Sequence, residues 1–142
     1  MKIRSLVLTL LAFTFILATP STRTAFASAT ENAAYSAKLV TPTAGSVVKP
    51  GQVVRIEWTA KFPKVDLSMC ETEVMLSVDG GRTYSYIGSQ RNPKIHYCDW
   101  TVPDMPKGSR VPAILDIRFG CLGIYAETYS PQIESAFVIS NE

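Results

Sequence analysis

Two short runs of alternating apolar and polar residues flank an Asp-Gly-Gly sequence near the middle of the chain. The runs cover residues 72–78 and 83–87. A period of two is typical of half-buried β-strands, and Asp-Gly between two such runs is a strong hairpin signal. Glycine suits a turn that needs positive φ, and an aspartate can accept hydrogen bonds from the turn amides. The sequence therefore predicts a central β-hairpin with a structural turn at Asp79, Gly80 and Gly81.

The same alternation recurs along the chain at nearly regular spacing. It predicts further strands at 38–42, 52–58, 95–102, 113–119 and 135–140. The alternation also assigns each residue of these strands to the core or to the outer face. The residues expected to face the core are Val54, Ile56, Trp58, Val74, Leu76, Val78, Cys98, Trp100, Val102, Ala113, Leu115, Ile117, Phe119, Phe137 and Ile139. Those expected to face outward include Glu73, Met75, Ser77, Asp116 and Arg118. About seven short strands and no amphipathic helix predict an all-β, immunoglobulin/fibronectin-III-like antiparallel β-sandwich. A small barrel would give similar patterning and is the alternative.

The N-terminal segment differs from the rest of the chain and is typical of a secretory signal peptide. Two basic residues, Lys2 and Arg4, precede an apolar run at 6–18, and Ala25-Phe26-Ala27 offers small residues at a cleavage site. We predict a signal peptide at 1–27, a flexible leader at 28–36 and one sandwich domain at 37–142. The apolar run is short for a membrane span, and an uncleaved anchor helix is the alternative.

The charge balance changes once the signal peptide is set aside. That segment carries three of the 14 basic residues and none of the 12 acidic ones, which leaves 11 and 12 in a mature chain of 115 residues. A nucleic-acid partner would require a basic surface, so this class is not expected. We predict a secreted protein, periplasmic or extracellular, with no membrane span after cleavage.

The turn and core positions together resemble a known family. The relevant segments are Pro42-x-x-Gly45, Gly51-x-Val53-Val54-x-Ile56-x-Trp58, Ser77-x-Asp79-Gly80-Gly81-x-Thr83-Tyr84, Asp99-Trp100-Thr101-Val102-Pro103 and Ser135-x-Phe137-x-Ile139. This pattern is similar to the immunoglobulin-like domain family named for yeast cell-wall glucan-synthesis proteins, whose relatives occur in exported bacterial proteins. The resemblance implies the sandwich fold over residues 38–140. It implies little about activity, because function depends on sites placed on the fold.

The three cysteines lie in the part of the chain that would be exported, where disulfides persist. If the strands at 72–78 and 113–119 are antiparallel neighbours, the start of one lies beside the end of the other. Cys70 and Cys121 then meet at one end of the sandwich, and we predict that they form a disulfide. Cys98 would remain as a buried thiol. The other two pairings stay open, since connectivity cannot be derived from sequence alone.

Catalytic and metal-binding sets are weak in this sequence. His96 is the only histidine, and a catalytic serine or cysteine would need it as its base. His96-x-Cys98 with Met69, Cys70 and Cys121 has donors suited to copper or zinc, but the chain has no Cys-x-x-Cys pair. We therefore predict a protein that is not an enzyme and that has no metal or cofactor. A metal or redox protein using His96 and Cys98 is a minor alternative.

Binding is the favoured function, and it is placed in two long loops. The segments at 59–69 and 120–134 should emerge at the end that carries the predicted disulfide. Aromatic side chains beside polar ones suit recognition of a protein or a glycan. The predicted binding residues are Phe62, Lys64, Ile124, Tyr125 and Tyr129.

Three alternatives remain open for these predicted surfaces. The loop aromatics could instead cover the end of the core. Tyr84 and Tyr86, which share a face of the hairpin, could be a contact stripe or ordinary sheet packing. The protein could also be a structural envelope or assembly component that pairs with another chain through an edge strand at 38–42 or 135–140.

Overall fold

The computed structural model describes residues 34–142, so the predicted signal peptide and most of the leader lie outside the described residues. The described chain forms nine strands: β1 (Ser36–Thr41), β2 (Val47–Val48), β3 (Val53–Lys61), β4 (Cys70–Ser77), β5 (Ser85–Gln90), β6 (Tyr97–Thr101), β7 (Arg110–Cys121), β8 (Tyr125–Thr128) and β9 (Phe137–Ser140). Two 3₁₀ helices, Leu67–Met69 and Ile133–Ser135, complete the secondary structure.

The strands form two sheets that pack face to face. The smaller sheet has the order β1-β3-β6, and the larger sheet has the order β2-β9-β7-β4-β5, with β8 added beside β7. All pairs are antiparallel except β2 with β9. The predicted all-β sandwich is confirmed. The count exceeds the predicted seven strands because β2 has only two residues and β8 has no buried residue, so neither gives an alternating pattern.

The interior between the sheets is built from the predicted apolar faces. The buried residues that match the prediction are Val54, Ile56, Trp58, Val74, Leu76, Cys98, Trp100, Val102, Ala113, Leu115, Ile117, Phe119, Phe137 and Ile139. Val78 was expected in this set, but 49% of its surface is exposed. Because β4 ends at Ser77, Val78 belongs to the turn and no longer follows the alternation of the strand.

The central hairpin is confirmed, although its connection is longer than a tight turn. Leu76 pairs with Ser85, so residues 78–84 form the connection between β4 and β5. The predicted need for glycine holds, since Gly80 and Gly81 have φ values of 75° and 86°. Ser77, expected to face solvent, is buried because its Oγ accepts a hydrogen bond from the amide of Gly81 at 2.8 Å.

Asp79 organises this turn as a hydrogen-bond acceptor. Its carboxylate accepts bonds from the Thr83 hydroxyl at 2.7 Å, from the Thr83 and Arg82 amides at 3.0 Å, and from the Ser77 hydroxyl at 2.8 Å. These bonds, those of Thr83 foremost, hold the pKa of Asp79 well below its usual range. The hydrogen bonds of the turn therefore favour the ionised form of this carboxylate.

We expect the Asp79 carboxylate to make the stability of the protein sensitive to acid. Its folded-state pKa is depressed, so its contribution is complete above the ordinary aspartate pKa of about 4 and is lost as pH falls towards the folded-state pKa. Asp79→Asn should be less stable than wild type at pH 7, and its melting temperature should fall less between pH 5 and pH 2. Asp104→Asn, at an exposed loop position, is the control. Parallel acid profiles for wild type and Asp79→Asn would contradict the prediction.

Asp116 is buried, although its position in β7 predicted an outward, solvated side chain. The chain between β8 and the second 3₁₀ helix folds back over this part of β7, and Asp116 pairs with Pro131 in an isolated bridge. Its carboxylate accepts a bond from the Ser130 amide at 2.7 Å and from Arg118 Nε at 2.8 Å. The burial is possible because both oxygens are satisfied.

The same returning segment covers the outer edge of β1 with side chains. The Ala37 amide donates to Ser130 Oγ at 3.1 Å, and the Leu39 amide donates to Gln132 Oε1 at 2.8 Å. Gln132 Nε2 in turn donates to the Ala37 carbonyl at 3.1 Å and to the Ser130 carbonyl at 2.7 Å. Side chains therefore satisfy the edge of the smaller sheet, and they join it to the larger sheet.

Three predicted boundaries are corrected by the structure. Tyr35, placed in the flexible leader by the sequence, is buried against Phe62 and Phe119, and β1 already begins at Ser36. Residues 59–61 belong to β3 rather than to a loop, and the second strand of the hairpin, predicted at 83–87, lies at Ser85–Gln90. In each case the local residues are polar or small, and pairing with a neighbouring strand overrides that local signal.

Candidate functional site

The predicted disulfide anchors one end of the sandwich. β4 and β7 are antiparallel neighbours, and Cys70 stands directly opposite Cys121 in their register. The two cysteines form a disulfide bond, as predicted. Cys98 is a buried free thiol in β6. Burial, with a smaller effect from Asp99, raises the pKa of Cys98 to about 11, so the thiolate that would react or bind a metal is disfavoured.

Two of the predicted binding aromatics, Phe62 and Tyr125, are half-buried against the aromatic cluster at this end. The Phe62 ring lies 5.0 Å from the Phe119 ring and 5.7 Å from the Tyr35 ring, between centroids. The Tyr125 ring lies 5.6 Å from Phe119, and the Tyr125 hydroxyl accepts a bond from the Tyr35 amide at 3.4 Å. This is the arrangement of the alternative interpretation, in which the loop aromatics cover the end of the core.

The other three predicted binding residues, Lys64, Ile124 and Tyr129, are exposed and lie on different parts of the surface. Lys64 lies in the short loop after β3, and Ile124 lies in the turn between β7 and β8. Tyr129 is 59% exposed and lies on the outer face of the larger sheet, with the Arg118 guanidinium 4.5 Å from its ring centroid. The five residues therefore divide between the core, the turns and the sheet face.

The exposed apolar residues at the disulfide end form a different set from the one predicted. Met69 and Leu122 directly flank the two cysteines, and the Leu122 amide donates to the Met69 carbonyl at 3.1 Å. Leu122 is 81% exposed, and Met69 and Ile124 each expose more than half of their surface. We call Met69, Leu122 and Ile124 the tip patch. Of these three residues, only Ile124 was among the predicted binding residues. The apolar residues on either side of Gly123 were a signal in the sequence that could have identified Leu122 as well.

A groove of about 1060 Å³ begins at the tip patch and runs over the outer face of the larger sheet. Gly120 forms part of its floor, where a Cβ atom would lie only 3.3 Å from Glu127 Cα. The charged side chains along the groove are Glu71, Glu73, Arg91, Arg118 and Glu127. Burial raises the pKa of Glu73, and the nearby Glu127 and Glu71 carboxylates add to the shift.

Arg118 is held in a fixed position beside this groove. Its Nε donates to Asp116 at 2.8 Å, and its Nη1 lies 3.5 Å from a Glu127 carboxylate oxygen. A guanidinium paired with two carboxylates keeps its orientation, so its remaining donors point in defined directions. The groove thus has an apolar end, formed by the tip patch, and a charged side on which Arg118 is held by Asp116 and Glu127.

The donors considered for a metal or redox site are separated by the fold. Cys70 and Cys121 use their sulfur atoms in the disulfide, and Cys98 is buried in β6. His96 packs against rings, with centroid distances of 5.9 Å to Phe62 and 6.5 Å to Trp58. Across residues 34–142, no three His, Cys, Asp or Glu side chains cluster in a way that could hold a metal ion.

Comparison of the chain with protein-family models and with curated proteins gave no match. The resemblance to the immunoglobulin-like family therefore stays a prediction at the level of the family, whereas the sandwich fold that it implied is confirmed. Residues 34–142 include no helix with the length and apolar character that crossing a membrane requires.

Proposed function

We propose that the protein is an exported, non-catalytic β-sandwich module that binds a protein partner through the tip patch. The observation that carries this proposal is the exposure of Met69, Leu122 and Ile124 around the disulfide. Large apolar side chains that are grouped and exposed on a small domain mark interaction sites. The disulfide fixes β4 to β7 beneath them, which reduces the entropy lost when a partner binds.

The chemistry of the tip patch favours a protein over a glycan. Sugar rings are bound by flat aromatic side chains, but the aromatic residues at this end, Phe62 and Tyr125, are packed against Phe119. The exposed side chains are aliphatic or a thioether, which complement apolar side chains of another protein. The flanking acidic residues, Glu71 and Glu127, favour a partner segment that carries basic residues beside its apolar ones.

Export is supported by the signal-peptide pattern at 1–27 and by the disulfide, since disulfides persist in oxidising compartments. A non-catalytic role is supported by the position of His96, the single histidine of the sequence, which packs against the Trp58 and Phe62 rings. An assembly role through an edge strand has weaker support. The outer edge of β1 is bonded to Ser130 and Gln132, and β9 lies between β2 and β7.

The test is selection of peptides from a display library on the disulfide-bonded protein. Peptides that combine basic and apolar residues should be enriched, and they should bind the double variant Leu122→Ser/Ile124→Ser at least tenfold more weakly than wild type. Val53→Ser is the matched control, because Val53 is 65% exposed on the smaller sheet. Equal binding to wild type and to the tip variant would contradict the proposal. Binding to a glycan array that depends on the tip patch would favour the glycan alternative.

A further inference from the structure

The outer face of the larger sheet carries three tyrosines that the tip patch does not use. Tyr86 projects from β5 and is 58% exposed, Tyr129 lies beside β7 and is similarly exposed, and Tyr84 is half-buried between the hairpin turn and β7. The Arg118 guanidinium lies 4.5 Å from the Tyr129 ring centroid and 5.8 Å from that of Tyr84. We call the surface formed by Tyr84, Tyr86, Tyr129 and Arg118 the tyrosine face.

The strand register spreads these residues across the outer face of the larger sheet. Tyr86 pairs with Met75 in β4, and Met75 pairs with Asp116 in β7. Tyr129 follows β8, on the far side of β7 from β4. Neighbouring strands are about 4.8 Å apart, so the backbones at Tyr86 and Tyr129 are separated across the sheet by three strand spacings, or about 14 Å. A ligand that spans this distance and contacts both side chains is an extended molecule rather than a single small group.

The rings and the charged groups of this face are held in place before any ligand binds. The Tyr86 hydroxyl is 3.0 Å from Ser89 Oγ, with which it shares a hydrogen bond. The Tyr84 hydroxyl packs against Gly81, where a Cβ atom would come within 3.2 Å of it. Arg118 is fixed by Asp116 and Glu127. Preorganised groups lose little entropy on binding, which favours recognition over simple surface packing.

We propose that the tyrosine face is a binding site for a neutral oligosaccharide. The apolar C–H face of a sugar ring can pack against the electron-rich face of a tyrosine ring, which the exposed Tyr86 ring offers and which Tyr129 offers on the side away from Arg118. Arg118 keeps donors that Asp116 and Glu127 do not use, and the carboxylates of Glu73 and Glu127, which line the adjoining groove, supply acceptors for sugar hydroxyls. The charged groups on and beside this face are four carboxylates, of Glu71, Glu73, Glu127 and Asp116, and two guanidinium groups, of Arg91 and Arg118. This excess of negative charge would repel an anionic polysaccharide.

The proposal is tested by native affinity electrophoresis of the intact disulfide-bonded protein. Separate gels contain a neutral polysaccharide (hydroxyethylcellulose, β-1,3-glucan, xylan, galactomannan or glucomannan), an anionic one (polygalacturonate or hyaluronan), or none. Wild type should be retarded in at least one neutral gel and in neither anionic gel. Tyr86→Ala and Tyr129→Ala should each weaken the affinity at least fivefold. Leu122→Ser/Ile124→Ser should be retarded like wild type, because neither residue belongs to the tyrosine face.

Tyr97→Ala is the matched control for the tyrosine variants. Tyr97 is an exposed tyrosine of the smaller sheet whose ring lies 4.6 Å from the Arg55 guanidinium, so its surroundings are similar but it is not on the tyrosine face. Thermal unfolding of each variant verifies that it is folded. Free migration of wild type in every neutral gel would overturn the proposal, whatever the variants do. Retardation only in anionic gels, or retardation lost equally in Tyr97→Ala, would also overturn it.

Discussion

Replacing both Cys70 and Cys121 with alanine is expected to lower the free energy of unfolding by about 4 kcal/mol. The two cysteines are 51 positions apart in the sequence, and cross-linking a segment of that length removes a large part of the conformational entropy of the unfolded chain. In the folded protein they face each other between neighbouring strands, so the bond fits the existing strand pairing. A loss of this size is a large fraction of the stability of a domain of this length.

The measurement is urea unfolding of wild type and of the double variant, each with and without a reducing agent. Wild type should lose the same stability on reduction that the double variant loses by mutation, and the double variant should not respond to the reductant. Cys98 is buried in β6 and contributes a free thiol to both proteins, so it does not affect the comparison. A double variant as stable as oxidised wild type would contradict the prediction.

Gln132→Ala is expected to cost about 2 to 3 kcal/mol of stability. The substitution removes the acceptor of the Leu39 amide and the donor to the carbonyls of Ala37 and Ser130, and Gln132 itself is buried. Leaving buried backbone groups without partners costs more than the net value of one hydrogen bond. The loss should be visible as a lower urea midpoint with an unchanged slope.

Gln90→Ala is the matched control for that experiment. The Gln90 side chain also donates to a backbone carbonyl, that of Tyr97 at 2.6 Å, but on the other side of the sandwich at an exposed site. Water can replace this bond, so the expected cost is below about 1 kcal/mol. Equal losses in Gln132→Ala and Gln90→Ala would show that the covered edge of β1 has no special value for stability.

The fold could be predicted well because its strands are buried on one face. Residues such as Val54, Ile56 and Ile117 alternate with polar neighbours, and the alternation identifies both the strand and its inward side. The errors occurred where a segment outside the strand covers its outward side. Ser77 is buried by the hairpin turn that follows it, and Asp116 is buried by the segment around Ser130. The alternation within a strand contains no information about such cover.

The candidate site could be predicted only in part, for a related reason. The pairing of Cys70 with Cys121 followed from the antiparallel arrangement of two recognisable strands. Whether a loop aromatic faces solvent or core depends on the path of the loop, which no periodicity determines. Phe62 was predicted to bind a partner but packs against Phe119. Leu122 is neither aromatic nor charged and was not predicted as a binding residue, yet it is 81% exposed.

The side-chain cover on β1 has a consequence for the order of events during folding. The bonds from Ser130 and Gln132 to β1 join residues 93 positions apart, so they cannot form until nearly the whole chain is present. Contacts of such long range form slowly, and an uncovered strand edge is a template for pairing with other chains. Until residues 130–132 are present, the outer edge of β1 therefore lacks this cover and is open to pairing with other chains.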